Sequence, residues 1–189
     1  MQATGGSYWS FRSISRATLP TLLLLTAVAV GSGLLLGTFE AVLYRYPSLL
    51  ILVPVTIGTA GNLGSLLASR LSTAFHLGTL SFRLRDEQLG GHALATIGLA
   101  LTLFPLVGAG AWVLALVTGR VVLPLWRVLA ISTMSGAGLA LVAVIATVIT
   151  TYGAYRAGLD PDDVVIPVVT VTADVFGVIM LFLAVAAFT

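Results

Sequence analysis

The chain has 189 residues, of which 58% are hydrophobic and only 8% charged, about a third of the charge that an ordinary soluble domain carries. So few charges cannot clothe a water-facing surface, whereas at roughly 20 apolar residues per helical crossing this length admits five crossings with short loops and no appended soluble domain. The net charge is +2, but the nine arginines lie scattered near the ends of apolar runs, which excludes nucleic acid as a partner, and the lack of cysteine excludes disulfides, thiolate metal sites and thiol nucleophiles.

Arg12 and Arg16 precede the first apolar run, Leu19 to Leu43. At about 25 residues it is too long for a signal-peptide core and is expected to stay as the first span. Residues 1–18 are thus expected to be a short cytoplasmic segment, and 19–189 a single transmembrane domain. Further apolar runs follow at Pro47 to Phe75, Ala93 to Thr118, Leu125 to Tyr152 and Val164 to Phe188, each long enough to cross with some tilt. None alternates with period two as barrel strands do, so the expected fold class is all-α, a polytopic membrane protein with five transmembrane helices.

Arginine counts set the expected orientation. One side collects Arg12, Arg16, Arg70, Arg83, Arg85 and Arg156, and the other Arg45, Arg120 and Arg127. The richer side reads as cytoplasmic, which puts the N-terminus inside and the C-terminus outside. The longest connection is expected from His76 to His92, as a solvated cytoplasmic loop.

Ionisable groups within a span cost a few kcal/mol to insert, so each is a functional candidate. Of seven acids, five fall in loops; Glu40 lies near the end of span one, and Asp174 lies inside span five. Counting from Val164 places Asp174 about 15 Å deep, near the midplane. Thr170 and Gly177 share its helix face by their spacing of four and three.

Span two reads Pro54-Val55-Thr56-Ile57-Gly58-Thr59-Ala60-Gly61-Asn62-Leu63-Gly64. A proline and three glycines are expected to break it in mid-membrane, freeing carbonyls at Gly58 and Gly61 beside Asn62, the chain's one asparagine. The competing reading is that these glycines serve close helix packing. Measured from opposite faces, Asn62 and Asp174 fall within about two turns of one level.

A carboxylate, an amide, hydroxyls and backbone carbonyls form a hard, all-oxygen set suited to Mg²⁺, with Mn²⁺ or Ca²⁺ also admissible. One aspartate does not neutralise a divalent ion at the midplane. Charge balance therefore asks for a second copy of Asp174, as a parallel dimer with its axis along the membrane normal supplies. Glu40 reads either as attracting cations at an outer mouth or as a solvated interfacial carboxylate, and Arg70 either as forming a polar exit with Ser69, Ser72 and Thr73 or as snorkelling to the interface. Neither histidine is mid-span, and no nucleophile stands beside a base, so an enzyme is not expected.

Two segments then carry a resemblance. Phe39-Glu40, Val53-Pro54, Gly61-Asn62 and Leu67-Ala68-Ser69-Arg70-Leu71-Ser72-Thr73-Ala74 resemble the membrane domain of MgtE-type magnesium transporters, particularly their animal solute-carrier relatives. Leu159-Asp160-Pro161-Asp162-Asp163, leading through Pro167 to Thr172-Ala173-Asp174-Val175-Phe176-Gly177, is similar to that family's final span. The resemblance implies a dimeric or two-repeat pore lined by spans two and five, with Asp174 contacting Mg²⁺ through its water shell and Gly61 and Asn62 matching the family's glycine-asparagine pair. Bacterial members carry cytoplasmic Mg²⁺-sensing regions ahead of this domain, whereas only about 18 residues precede span one here; the animal relatives join two such domains in one chain, which implies a half-transporter that forms a homodimer or a heterodimer with a sister half-transporter. The alternative to transport is a membrane scaffold or subunit that needs a different chain to complete the ion path.

Overall fold

A computed structural model describes residues 11–79 and 86–189. Within them the chain forms helices α1 (Phe11–Gly37), α2 (Glu40–Arg45), α3 (Pro47–His76), α4 (Glu87–Val117), α5 (Leu125–Ala157) and α6 (Pro161–Phe188), and no described residue is in a strand. All but the short α2 are long and apolar enough to cross a membrane. Among the described residues the protein is thus an all-helical, multi-pass membrane protein with five spans.

The boundaries differ from the hydropathy pattern at two places. The first run does not continue to Leu43: α1 stops at Gly37, and the chain turns through Thr38 and Phe39 into α2. The Thr38 hydroxyl donates to the Leu35 carbonyl at 2.6 Å, and the Phe39 ring stacks on Phe182 of α6 with centroids 3.8 Å apart. The turn is held by a terminal hydroxyl and by an aromatic anchor, neither of which hydropathy registers. Helix α1 also begins by Phe11, so residues 11–18 of the expected N-terminal segment are helical, while residues 1–10 lie outside the described residues.

The connection between α3 and α4 is shorter than His76 to His92. Asp86 caps α4, its carboxylate accepting from the Gln88 and Leu89 amides at 2.9 and 3.3 Å, so Glu87 to His92 belong to the helix. Arg83 and Arg85 lie outside the described residues. At the far end of α5, Gly158 takes φ +67°, the left-handed cap that lets the chain reverse before Pro161 opens α6.

The expected break in span two is absent. Helix α3 runs without interruption from Pro47 to His76, with Pro54 inside it. Proline is no breaker in this chain: α1, α4 and α6 also carry one internally, at Pro20, Pro105 and Pro167. In a bilayer the alternative to helix is unpaired backbone, which costs more than the single donor a proline removes. Two of the glycines serve packing instead. A Cβ on Gly64 would run into the Val169 side chain of α6, and one on Gly61 would rest 3.9 Å from Ala173 and Thr170.

Helices α3 to α6 make a four-helix bundle in which α6 packs on both α5 and α3, and α4 packs on α5 and α3. Helix α1 lies outside, against α6. The middle of the bundle is built largely from small side chains: Ala60, Ala100, Ala140 and Ala173 surround Leu63, Phe104 and Leu139. Lipid offers apolar side chains as good a solvent as a neighbouring helix does, so association rests on close approach, and small residues allow it.

Candidate functional site

Three contacts fix the register of α3 against α6. Ile57 meets Gly177, where a Cβ would stand 2.6 Å from the Ile57 Cγ1; Gly61 meets Thr170 and Ala173; Gly64 meets Val169. The helices are therefore antiparallel, and Asp174 is level with Ala60. Asn62 sits two residues from that level, about 3 Å along the helix axis, which is closer than the two turns that counting from the chain ends allows. Asn62 is also near the midpoint of α3, as Asp174 is of α6.

Neither polar group has a partner among the described residues. Among the described residues no hydrogen bond or ion pair reaches the Asp174 carboxylate or the Asn62 amide, and no three His, Asp or Glu side chains gather into a metal-binding group. Asp174 is half-buried, and Asn62 is exposed. Thr170, one turn before Asp174, donates its hydroxyl proton to the Ile166 carbonyl at 2.9 Å. Its oxygen lone pairs stay free to face water or an ion. Thr170 is exposed in a cleft of about 360 Å³ between α1 and α6, lined by Leu22, Leu25, Thr26, Ile166 and Pro167 among others.

Asn62 belongs to a longer stripe. Val55, Gly58, Asn62, Leu66, Ser69 and Thr73 recur at spacings of three and four along α3, and all are exposed. No atom comes within 4 Å of a Cβ placed on Gly58. From Val55 to Thr73 one face of α3 is thus exposed among the described residues, carrying the Asn62 amide at membrane depth and the Ser69 and Thr73 hydroxyls near the helix's far end.

Of the residues singled out from sequence, the structure brings together Gly61 and Thr170, and sets Asn62 and Asp174 at nearly one height. Gly177 is buried against Ile57, where it spaces the helices. With α3 unbroken, the carbonyls of Gly58 and Gly61 stay inside the helix and are not released by a break. Glu40 is exposed at the start of α2, in a recess of about 260 Å³ with Gly33, Gly37, Tyr44 and Leu50. Arg70 is exposed near the opposite end of α3 and lines a cleft of about 620 Å³ with Ser69, Thr73, Thr79, Gln88 and His92.

Sequence reasoning missed two features. It paired Arg70 only with residues of its own helix, whereas Gln88 and His92 of α4 share the cleft. It also passed over the buried hydroxyls of α5: Ser132 donates to the Phe104 carbonyl at 2.6 Å, and Thr147 and Thr151 donate to carbonyls one turn back at 2.7 Å each. The four-residue spacing of Thr147 and Thr151 was the available signal.

With this geometry in place, the comparison with known families is informative. The sequence model of a family described as MgtE, divalent cation transporter, matches residues 53–184, a stretch that includes α3 to α6 almost whole. No solved structure matches the chain.

Proposed function

The chain belongs to the MgtE family of divalent cation transporters, and from that premise we propose that it carries Mg²⁺ through a path between two copies of the chain, lined by α3 and α6. Family membership places it among transporters of divalent cations rather than among enzymes. The ion's identity, the second copy and the lining residues are the proposal. The observation that carries it is a pair of polar side chains, Asp174 and Asn62, that no described residue partners, at the middle of two touching spans.

An unpaired carboxylate at that depth costs several kcal/mol unless an ion, water or a proton neutralises it. A parallel pair of chains, with its axis along the membrane normal, supplies two Asp174 side chains for one divalent ion. Such a pair also covers the bare stripe of α3. Mg²⁺ parts with its water reluctantly, so Asp174, the Asn62 amide and the Thr170 oxygen act on a hydrated ion through its shell, and no broken backbone is required. In this arrangement the arginine-rich ends are cytoplasmic, Arg70 stands near the inner mouth and Glu40 near the outer one.

The test is Mg²⁺ entry into vesicles that contain only this protein and a trapped Mg²⁺ indicator. Wild type should load the vesicles, and Asp174→Ala, reconstituted to the same density, should lose at least about tenfold of the rate. Equal rates in the two would remove Asp174 from the path. A chain that neither dimerises nor moves Mg²⁺ alone would favour a subunit that depends on a different partner.

A further inference from the structure

The cleft around Arg70 presents a charge problem that the transport path does not solve. It is formed where the last turns of α3 face the first turns of α4, and it is lined by Ser69, Arg70, Thr73, Thr79, Gln88 and His92. Arg70 makes no ion pair with any described residue, and Asp86, the carboxylate just before α4, is engaged as that helix's cap. Glu87 is exposed and does not line the cleft. A cation-conducting protein therefore holds, in a cavity at a span end, a guanidinium that no described carboxylate offsets, where it repels the protein's own cargo, with the His92 imidazole beside it.

The donor set is specific in its direction. Thr73 and Thr79 spend their hydroxyl protons on the carbonyls of Ser69 and Ala74, at 2.9 and 3.1 Å. What remains to donate into the cleft is the Arg70 fork, the His92 ring, the Gln88 amide and the Ser69 hydroxyl. Four such donors with no acidic residue among the described lining suit a compact, multivalent oxygen anion, and a guanidinium binds phosphate in two-pronged fashion. The cleft's volume of about 620 Å³ is ample for a headgroup-sized ligand. Arg70 lies six residues from the end of α3 and His92 five from the start of α4, which is about 8–9 Å along each helix. In helices of 30 and 31 residues, that is the depth where about 30 Å of hydrocarbon gives way to headgroups. Basic pockets between spans at this level hold anionic headgroups.

We infer that the Arg70–His92 cleft between α3 and α4 is a binding site for a phosphate group, supplied by an anionic lipid headgroup or by a soluble phosphate. Occupied, it neutralises the end of the ion path. The inference requires only that the chain spans the membrane, and it stands whichever divalent ion is carried.

The experiment uses the full-length protein in nanodiscs and reads its melting temperature together with lipid retained on release into native mass spectrometry. One arm compares discs of phosphatidylcholine alone with discs containing phosphatidic acid. A second adds inorganic phosphate, with sulfate-free chloride at matched ionic strength as control, to the phosphatidylcholine discs. Wild type should melt higher in one of these arms, which identifies the source of the phosphate. Arg70→Gln and His92→Gln should each weaken the effect, Arg70→Gln by about tenfold in the midpoint concentration, while Arg120→Gln, at the opposite end of α4, should respond as wild type does. Melting of each variant in plain phosphatidylcholine separates loss of fold from loss of ligand. No stabilisation in either arm, or stabilisation that persists undiminished in Arg70→Gln, overturns the site. Because the readout is binding and not flux, its failure leaves the transport proposal standing, and the reverse holds too.

Discussion

Gly177 of α6 faces Ile57 of α3 with no room between them: a methyl group at residue 177 would stand 2.6 Å from the Ile57 Cγ1 and 3.3 Å from the Leu139 Cδ2. This contact sets the height of Asp174, one turn away, against α3. Gly177→Ala should therefore lower the melting temperature in detergent, at a cost of about 1–3 kcal/mol, because the methyl must push apart two packed helices. Ile57→Ala should recover part of that loss in the double variant, a non-additivity that marks direct contact. A Gly177→Ala protein as stable as wild type would show that the helices are not held this closely.

The α4–α5 seam offers a second stability test. The ring of Phe104 lies directly over Gly136, and Ser132 donates to the Phe104 carbonyl at 2.6 Å. Ser132→Ala should cost only about 0.5–1 kcal/mol, since interhelical hydrogen bonds in membranes are modest. Gly136→Val should cost several times more, because the ring has to leave its place in the middle layer. Comparable losses in the two variants would contradict a seam held mainly by close packing.

How far the sequence foretold this arrangement can be seen at three residues. Asp174 was legible because a carboxylate in an apolar run has no ordinary explanation, and no described residue pairs with it. Gly61 was legible as special, but the break expected around it is absent, because proline and glycine propensities measured in water overstate breakage where a bilayer penalises unpaired backbone. His92 was not legible at all as a neighbour of Arg70. The two are 22 residues apart on different helices, and only the Asp86 cap, which starts α4 early, brings the imidazole to the end of α3. Periodicity reports faces of one helix; which face meets which is settled by packing.

The bare stripe on α3 makes a prediction about assembly. The chain has no cysteine, so a single introduced thiol reports one position. In membranes under mild oxidation, Gly58→Cys or Asn62→Cys should form a disulfide-linked dimer, because a second copy packed on this face brings like positions within the roughly 7 Å between Cα atoms that a disulfide demands. Ile149→Cys, on an exposed part of α5, should stay monomeric. Cross-linking at 149 but not at 58 or 62 would place the dimer on a different face and separate α3 from the ion path.

Glu40 tests the mouth through ionic strength. It is exposed at the start of α2, and no described residue neutralises it, so its effect on an approaching cation is long-range and open to screening. Steering of this kind raises local cation concentration at low salt and fades when the Debye length falls to about 8 Å near 0.15 M. Glu40→Gln should then slow Mg²⁺ entry about two- to fivefold near 10 mM ionic strength, and hardly at all near 150 mM. Asp174→Asn, acting on an ion already within the protein, should show a defect that salt does not relieve. A Glu40→Gln defect equally large at both salt concentrations would mean that the carboxylate touches the ion, which would move the first binding step from the middle of the membrane to its outer edge.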